Sequence, residues 1–175
     1  MPLTSALVIR QLTTADLNPL LDYLHGLSGE TKQRFGPHPF DHESVSGLLN
    51  RPDEYAGFIA TDPETNRIIA YSIVKLGFLE HDRPRLESCG LHPDALTDAT
   101  LAPSVADEWQ GKGVGTRMFH EISDWLKTKG VQRIILWGGV QCNNDRAVRY
   151  YQKLGFTLLG EFEYYGRNFD MVKML

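Results

Sequence analysis

The sequence predicts an α/β (α+β) domain, a mixed central sheet flanked by helices. Three observations carry this. Apolar runs of strand length alternate with helix-spaced runs in the second half, which predicts parallel pairing there. Pairs of apolar, β-rich runs joined by short turn sequences predict antiparallel hairpins. The 175 residues, 42% hydrophobic and 23% charged, suit a single domain spanning 1–175 with one core.

Taken in order, Ala6–Arg10 reads as a short strand. Leu17, Leu20, Leu21 and Leu24 then recur at helical spacing, with Thr14 as the expected N-cap. Residues 28–40 end in Gly-Pro-His-Pro and read as loop, and Asp41 caps a second helix running to about Asn50. Tyr55–Thr61 and Ile68–Leu76 form a hairpin around Asp-Pro-Glu-Thr-Asn. Residues 79–99, with Pro84, Gly90 and Pro93, read as a long loop, a kind of segment that tends to carry function. Thr100–Ala106 is strand-like despite Pro103, which implies an edge, a bulge or a splayed strand there. Val114, Met118, Ile122, Trp125 and Leu126 give a helix that stops at Gly130. Ile134–Val140 is a strand, Asn144 opens another helix, and Phe156–Phe162 and Phe169–Leu175 are the final strands. The order is β-α-α-β-β-β-α-β-α-β-β, with no repeat, low-complexity segment or linker.

Charge and composition exclude several classes. A net charge of −4 with interspersed signs argues against a nucleic-acid backbone binder. No apolar run approaches a membrane span, and Met1–Ser5 carries no signal-peptide pattern. Cys89 and Cys142, the two cysteines, read as reduced thiols of a cytoplasmic protein rather than a disulfide. The six histidines show no metal-ligand spacing, so no metal is expected, and His38-x-x-x-His42 spans a proline-containing loop.

The chemistry concentrates in Gln110-Gly111-Lys112-Gly113-Val114-Gly115-Thr116, between a strand and a helix. Alternate glycines leave backbone N–H groups uncovered at a helix N-terminus, which suits a phosphate or pyrophosphate. A P-loop needs four residues between its first glycine and Gly-Lys-Ser/Thr, and a dinucleotide fingerprint needs its third glycine one residue later. Neither fits, which leaves a different phosphate cradle or a glycine turn with no ligand.

A second segment decides between them. Gln110-x-x-Gly113-x-Gly115 resembles the acetyl-CoA loop of the GNAT superfamily, the Gcn5-related N-acetyltransferases. Asn144-Asp145-Arg146-Ala147-Val148-Arg149-Tyr150-Tyr151-Gln152-Lys153-Leu154-Gly155-Phe156 meets every fixed position of that family's Asn-x-x-Ala-x-x-x-Tyr-x-Lys-x-Gly-Phe pattern. The resemblance covers about residues 100–175, the expected acetyl-CoA-binding half, and residues 1–99 match in element order as a variable, acceptor-side half. It implies six to seven strands with about four helices, splayed between the fourth and fifth strands. It implies that Gly111–Thr116 hold the pyrophosphate of acetyl-CoA and that Ser104, Val105 and Ala106 pair with its pantetheine arm. An N–H near Val105 or Ala106 would polarise the thioester. Asn144 reads as an N-cap that can also contact the cofactor. Tyr151 is implied to be the general acid for the departing thiolate; its alternative is a packed tyrosine with a bonded hydroxyl. Leu154 and Phe156 read as core.

The implied activity is direct transfer of acetyl to a primary amine of a small molecule or peptide. Two alternatives stand beside it: a catalytically silent CoA-binding module, and a longer acyl-CoA donor. The general base departs from the family pattern, because Gly139 stands where some relatives carry glutamate. Asp98, Asp107, Glu108, Glu80, His81, His92 and Asp94 are candidates, each more at home as a solvated surface residue. Gly138-Gly139 is expected to leave room for substrate, and Cys142 to be a small buried thiol rather than a nucleophile. Residues 25–50 and 79–99 are expected to shape the acceptor site, with Arg34, Phe35, His38 and Phe40 as its chemistry. The resemblance also raises a homodimer through the final strands, which nothing in the sequence decides.

Overall fold

The computed structural model describes residues 7–175; Ala6 and the leaderless reading of Met1–Ser5 lie outside the described residues. The described strands are β1 (Val8–Gln11), β2 (Tyr55–Thr61), β3 (Ile68–Leu76), β4 (Asp98–Val105), β5 (Arg133–Leu136), β6 (Val140–Gln141), β7 (Thr157–Glu163) and β8 (Arg167–Met174). The described helices are α1 (Leu17–Gly26), α2 (Gly29–Arg34), α3 (His42–Leu49), α4 (Arg83–Ser88), α5 (Val114–Thr128) and α6 (Asp145–Lys153), with short 3₁₀ turns between. The chain divides into two compact units: one up to Val74 together with Ala102–Asp124, the other Lys75–Leu101 together with Trp125–Leu175.

In the first unit β1 runs antiparallel to β2, with Val8 opposite Thr61 and Gln11 opposite Phe58. The turn after β2 closes through Asp62 N–H donating to the Arg67 carbonyl at 2.9 Å, as the hairpin reading expects. Leu17, Leu20 and Leu24 of the predicted stripe are buried in α1, joined by Tyr23, while Leu21 is half-buried. The helix entry differs from the Thr14 cap: Thr14–Asp16 is a 3₁₀ turn, and Asp16 reaches back to the Thr13 N–H at 2.8 Å. Hydrogen bonds from Arg10 at 2.7 and 2.8 Å hold the Asp16 carboxyl at about 2, well below its ordinary value. Asp41 caps α3 as predicted, its Oδ1 accepting from Ser44 N–H at 2.7 Å. The stretch read as loop contains α2, whose N-cap Ser28 accepts from Thr31 N–H at 3.2 Å. It is too short to leave a hydrophobic period in sequence.

In the second unit β4 is parallel to β5, with Asp98 opposite Arg133 and Leu101 opposite Leu136, and β5 is antiparallel to β8. β8 also takes β6 and β7 as antiparallel neighbours, with an irregularity in β7 between Leu158 and Gly160. Phe78, Leu86, Leu91 and Ile135 form a buried cluster, with Leu159 and Val172 packed on it. The expected long loop 79–99 instead contains α4. Pro84 lies in its first turn, where a missing N–H costs no helical bond, and Leu86 is buried. Arg85 ties α4 to β8 through Asp170 at 2.7 and 3.1 Å and lies 3.9 Å over the Phe162 ring. Among the described residues no helix is long and apolar enough to cross a membrane.

Candidate active site

The strand β4 sets up the first part of the site. Gly77 N–H donates to the Asp98 carbonyl at 2.7 Å, and Ala106 N–H donates to the Ile69 carbonyl at 2.8 Å. β3 and β4 are therefore antiparallel, and the even-numbered residues of β4 aim their backbone groups at β3. The odd-numbered residues aim the other way, where Trp137 N–H donates to the Leu101 carbonyl at 2.9 Å. Pairing with β5 ends there, while β4 continues to Val105. Pro103 falls on this unladdered edge, so its missing N–H forfeits no sheet bond.

The register separates the three strand residues named from sequence. Ala106 has its N–H committed to Ile69. Ser104 is buried, and its hydroxyl donates to the Tyr71 carbonyl at 3.0 Å, so the Tyr23 hydroxyl at 3.0 Å must be the donor to Ser104. Val105 alone presents its N–H on the edge away from β3. Its carbonyl accepts from Gln110 Nε2 at 3.1 Å, which folds the loop entrance back onto the strand end.

The glycine loop follows. Gly111 (φ 73°) and Gly113 (φ 83°) are left-handed, a conformation costly for any other residue. A Cβ built at either would meet nothing within 4 Å, so open space faces both. Gly113 directly precedes α5, its carbonyl accepting from Arg117 N–H at 3.1 Å. The amides of Val114, Gly115 and Thr116 form the first turn of a fifteen-residue helix, the end whose dipole favours an anion. Lys112 Nζ lies 5.2 Å from the Trp109 ring centre.

In the second unit Asn144 caps α6, its Oδ1 accepting from Ala147 N–H at 3.3 Å. Tyr151 is 9% exposed and stacks edge-on against Phe156 at 5.4 Å and Tyr150 at 5.1 Å. Burial, then the nearby Tyr150, pushes its phenol above the ordinary 10, so it stays protonated. Among the described residues nothing hydrogen-bonds its hydroxyl, and no sealed side-chain oxygen lacks a partner, so that oxygen reaches open space. Phe156 is buried, as expected of core, while Leu154 is half-buried.

Most candidate bases are committed elsewhere. Asp98, 1% exposed, accepts from Arg133 at 2.8 and 2.7 Å and from Asp94 N–H at 2.8 Å. Asp107 accepts from Ser28 and Thr31; burial raises its carboxyl, but these bonds outweigh that and hold it below its ordinary value. Glu80 pairs with Arg83, His81 lies against Asp82, and Asp94 accepts from Leu96 N–H. Glu108 and His92 are exposed. At Gly139 (φ 67°) a Cβ would run into the Phe169 carbonyl and the Phe162 ring at 2.9 Å. Of the space expected for substrate at Gly138-Gly139, the part at Gly139 is filled by β8 and β7 and could hold no carboxylate, whereas a Cβ at Gly138 would meet nothing within 4 Å. Cys142 is half-buried rather than buried, and both cysteines are free thiols.

The sequence reading missed Tyr71, which looks like any apolar position of β3. Its hydroxyl lies 3.0 Å from His38 Nε2, and Phe35 and His38 pack edge-on against its ring. His38 Nδ1 lies 2.7 Å from the Pro39 carbonyl, which can only accept, so Nδ1 carries the proton and Nε2 accepts from Tyr71. Burial lowers the His38 pKa and favours this neutral ring.

An open glycine turn at a helix start, after a strand that outruns its partner, is an arrangement that suits a phosphate-bearing ligand on an α/β frame. Residues 21–156 match the acetyltransferase (GNAT) family, and the chain belongs to it. It is 30% identical over 128 residues to a mycothiol acetyltransferase of Renibacterium salmoninarum, covering 70% of this chain and 34% of that protein. It is 31% identical over 74 residues to the [ribosomal protein bS18]-alanine N-acetyltransferase of Salmonella typhimurium, covering 42% of this chain and 49% of that one. The chain thus spans no more than about half the length of these curated relatives. Its fold is similar to a ribosomal-protein-S5-alanine acetyltransferase from Vibrio fischeri (TM-score 0.76, 16% identity, 97% of this chain and 93% of that one). It is also similar to the PaiA N-acetyltransferase of Thermoplasma acidophilum in complex with coenzyme A (TM-score 0.71, 18% identity, 98% and 100%).

Proposed function

We propose that this chain is an acetyl-CoA-dependent N-acetyltransferase acting on a primary amine. The observation that carries the reading is the open pair Gly111 and Gly113 at the start of α5. Acetyl-CoA supplies an activated acyl group and a pyrophosphate. The turn of residues 111–116 suits that pyrophosphate, because it is open over Gly111 and Gly113 and leads into the first turn of α5, the end whose dipole favours an anion. The edge of β4 beyond Leu101 suits the amides of the pantetheine arm, which can pair with it as an added strand. Val105 N–H, rather than Ala106 N–H, is the amide for the thioester carbonyl, and it stabilises the oxyanion that develops as the amine attacks. The attacking amine gives up its proton to water, Tyr151 donates its phenolic proton to sulfur as the C–S bond breaks, and solvent then reprotonates the phenolate. The raised pKa of Tyr151 keeps that proton available at neutral pH. Asn144 holds α6 in place through its cap and can also touch the cofactor.

One observation favours a second reading, a CoA-binding module without transfer. Most carboxylates named as bases are held by partners within the fold. Acceptor-dependent thiol release separates the two. The wild type is expected to release CoA with at least one member of a broad amine panel, and Tyr151→Phe to lower kcat by about 10²-fold or more with KM for acetyl-CoA unchanged. An unchanged kcat overturns the acid assignment. CoA binding with no amine-dependent release overturns the transferase and supports the module.

A further inference from the structure

Asp107 reads from sequence as a base candidate, and its contacts give it another task. It lies two residues beyond β4 and three before Gln110. Its Oδ1 accepts from the Ser28 hydroxyl at 2.7 Å and the Thr31 hydroxyl at 2.7 Å, and its Oδ2 accepts from Ser28 N–H at 3.0 Å. Ser28 is the N-cap of α2, so the cap itself hangs from this carboxylate. α2 has six residues, none buried, and cannot hold its own shape without such an anchor.

The same segment is tied a second time at its far end. The Tyr71 hydroxyl donates to His38 Nε2, and the Tyr71 carbonyl accepts from Ser104, the residue before Val105. Within the same segment Phe35 and Phe40 lie tilted against each other at 6.1 Å. Residues 28–41 are thus suspended from the end of β4 on both sides of the amide assigned to the thioester. All of these contacts lie within the first compact unit.

We propose that Asp107 is a positioning residue: it holds α2 and the loop to Asp41 as the acceptor-side wall beside Val105. The role rests on the acetyltransferase reading. It also explains why Asp107 is unsuited as the base. Both carboxylate oxygens already accept bonds, and Oδ1 accepts two.

The experiment compares wild type with Asp107→Ala, Asp107→Asn and the pair Ser28→Ala/Thr31→Val. CoA affinity is read by calorimetry, amide exchange over residues 28–41 by mass spectrometry, and thiol release with phenethylamine, spermidine and an alanine-initiated peptide. Asp107→Ala and the Ser28/Thr31 pair are each expected to speed exchange over 28–41 by about tenfold or more, the scale of one charge-assisted bond. Amine KM rises with them, while CoA affinity stays within about twofold. Asp107→Asn keeps an oxygen for both hydroxyls but sets an amide NH2 against the Ser28 N–H, so it restores part of the loss, which replacing a proton-accepting carboxylate could not do. Unchanged exchange in Asp107→Ala overturns the role. So does a pH-profile inflection lost in both Asp107 variants but kept in the Ser28/Thr31 pair, which would make Asp107 the base. A wild type that binds CoA but turns over no amine leaves Asp107 a fold contact only. Failure of the wild type to bind CoA removes the acetyltransferase reading itself.

Discussion

Two glycine pairs in this chain share one backbone conformation and differ in what surrounds them. Gly111 and Gly113 are left-handed with nothing within 4 Å of a built Cβ; Gly138 and Gly139 are left-handed too, but at Gly139 a Cβ would meet the Phe169 carbonyl and the Phe162 ring. The first pair needs glycine for its dihedral angles and keeps its surroundings open, as a loop that receives a ligand must. Gly139 needs glycine because β8 has taken the space. A glycine-rich sequence does not distinguish these cases; the neighbours do.

The largest effect expected from breaking this contrast is at Gly139. Gly139→Ala combines a left-handed alanine with overlap against backbone that cannot yield, and should cost about 3 kcal/mol or more in chemical denaturation. Gly138→Ala, with φ 66° and open space, should cost only about 1 kcal/mol, and Gly113→Ala about the same. Equal losses at 138 and 139 would erase the distinction between strained and crowded glycine.

The smallest effect lies at the acceptor-side wall. His38 is half-buried and held neutral, its pKa lowered from 6.5 by desolvation, so below that value the unfolded chain binds more protons than the folded one. Stability is therefore expected to fall as pH drops below 6.5, and the slope there should flatten in His38→Gln. An identical slope in both proteins would show that His38 does not report on the wall.

What the sequence made legible follows the range of each signal. The Gly111–Thr116 turn and the helix that Asn144 opens are local patterns, and both appear where the spacing places them. α4 was hidden because Pro84 looks like a breaker, although a first-turn proline is compatible with a helix. The ties that build the proposed wall join residues far apart: Ser28 to Asp107 across 79 positions and Thr31 to Asp107 across 76. No local spacing announces such pairs, so Asp107 resembled a free carboxylate and Tyr71 an ordinary strand residue. The register of β4 was also invisible, and it is what separates Val105 from Ser104 and Ala106.

The central claim is that the open space over Gly111 and Gly113 belongs to a pyrophosphate. Calorimetric titration of coenzyme A and of pantetheine, which lacks the pyrophosphate, into wild type and Gly113→Ala tests it most directly. The added methyl would occupy the place of the phosphate oxygens, so coenzyme A should bind the variant about tenfold or more weakly, while pantetheine binds both proteins alike. Equal affinity of coenzyme A for the two proteins would contradict the assignment.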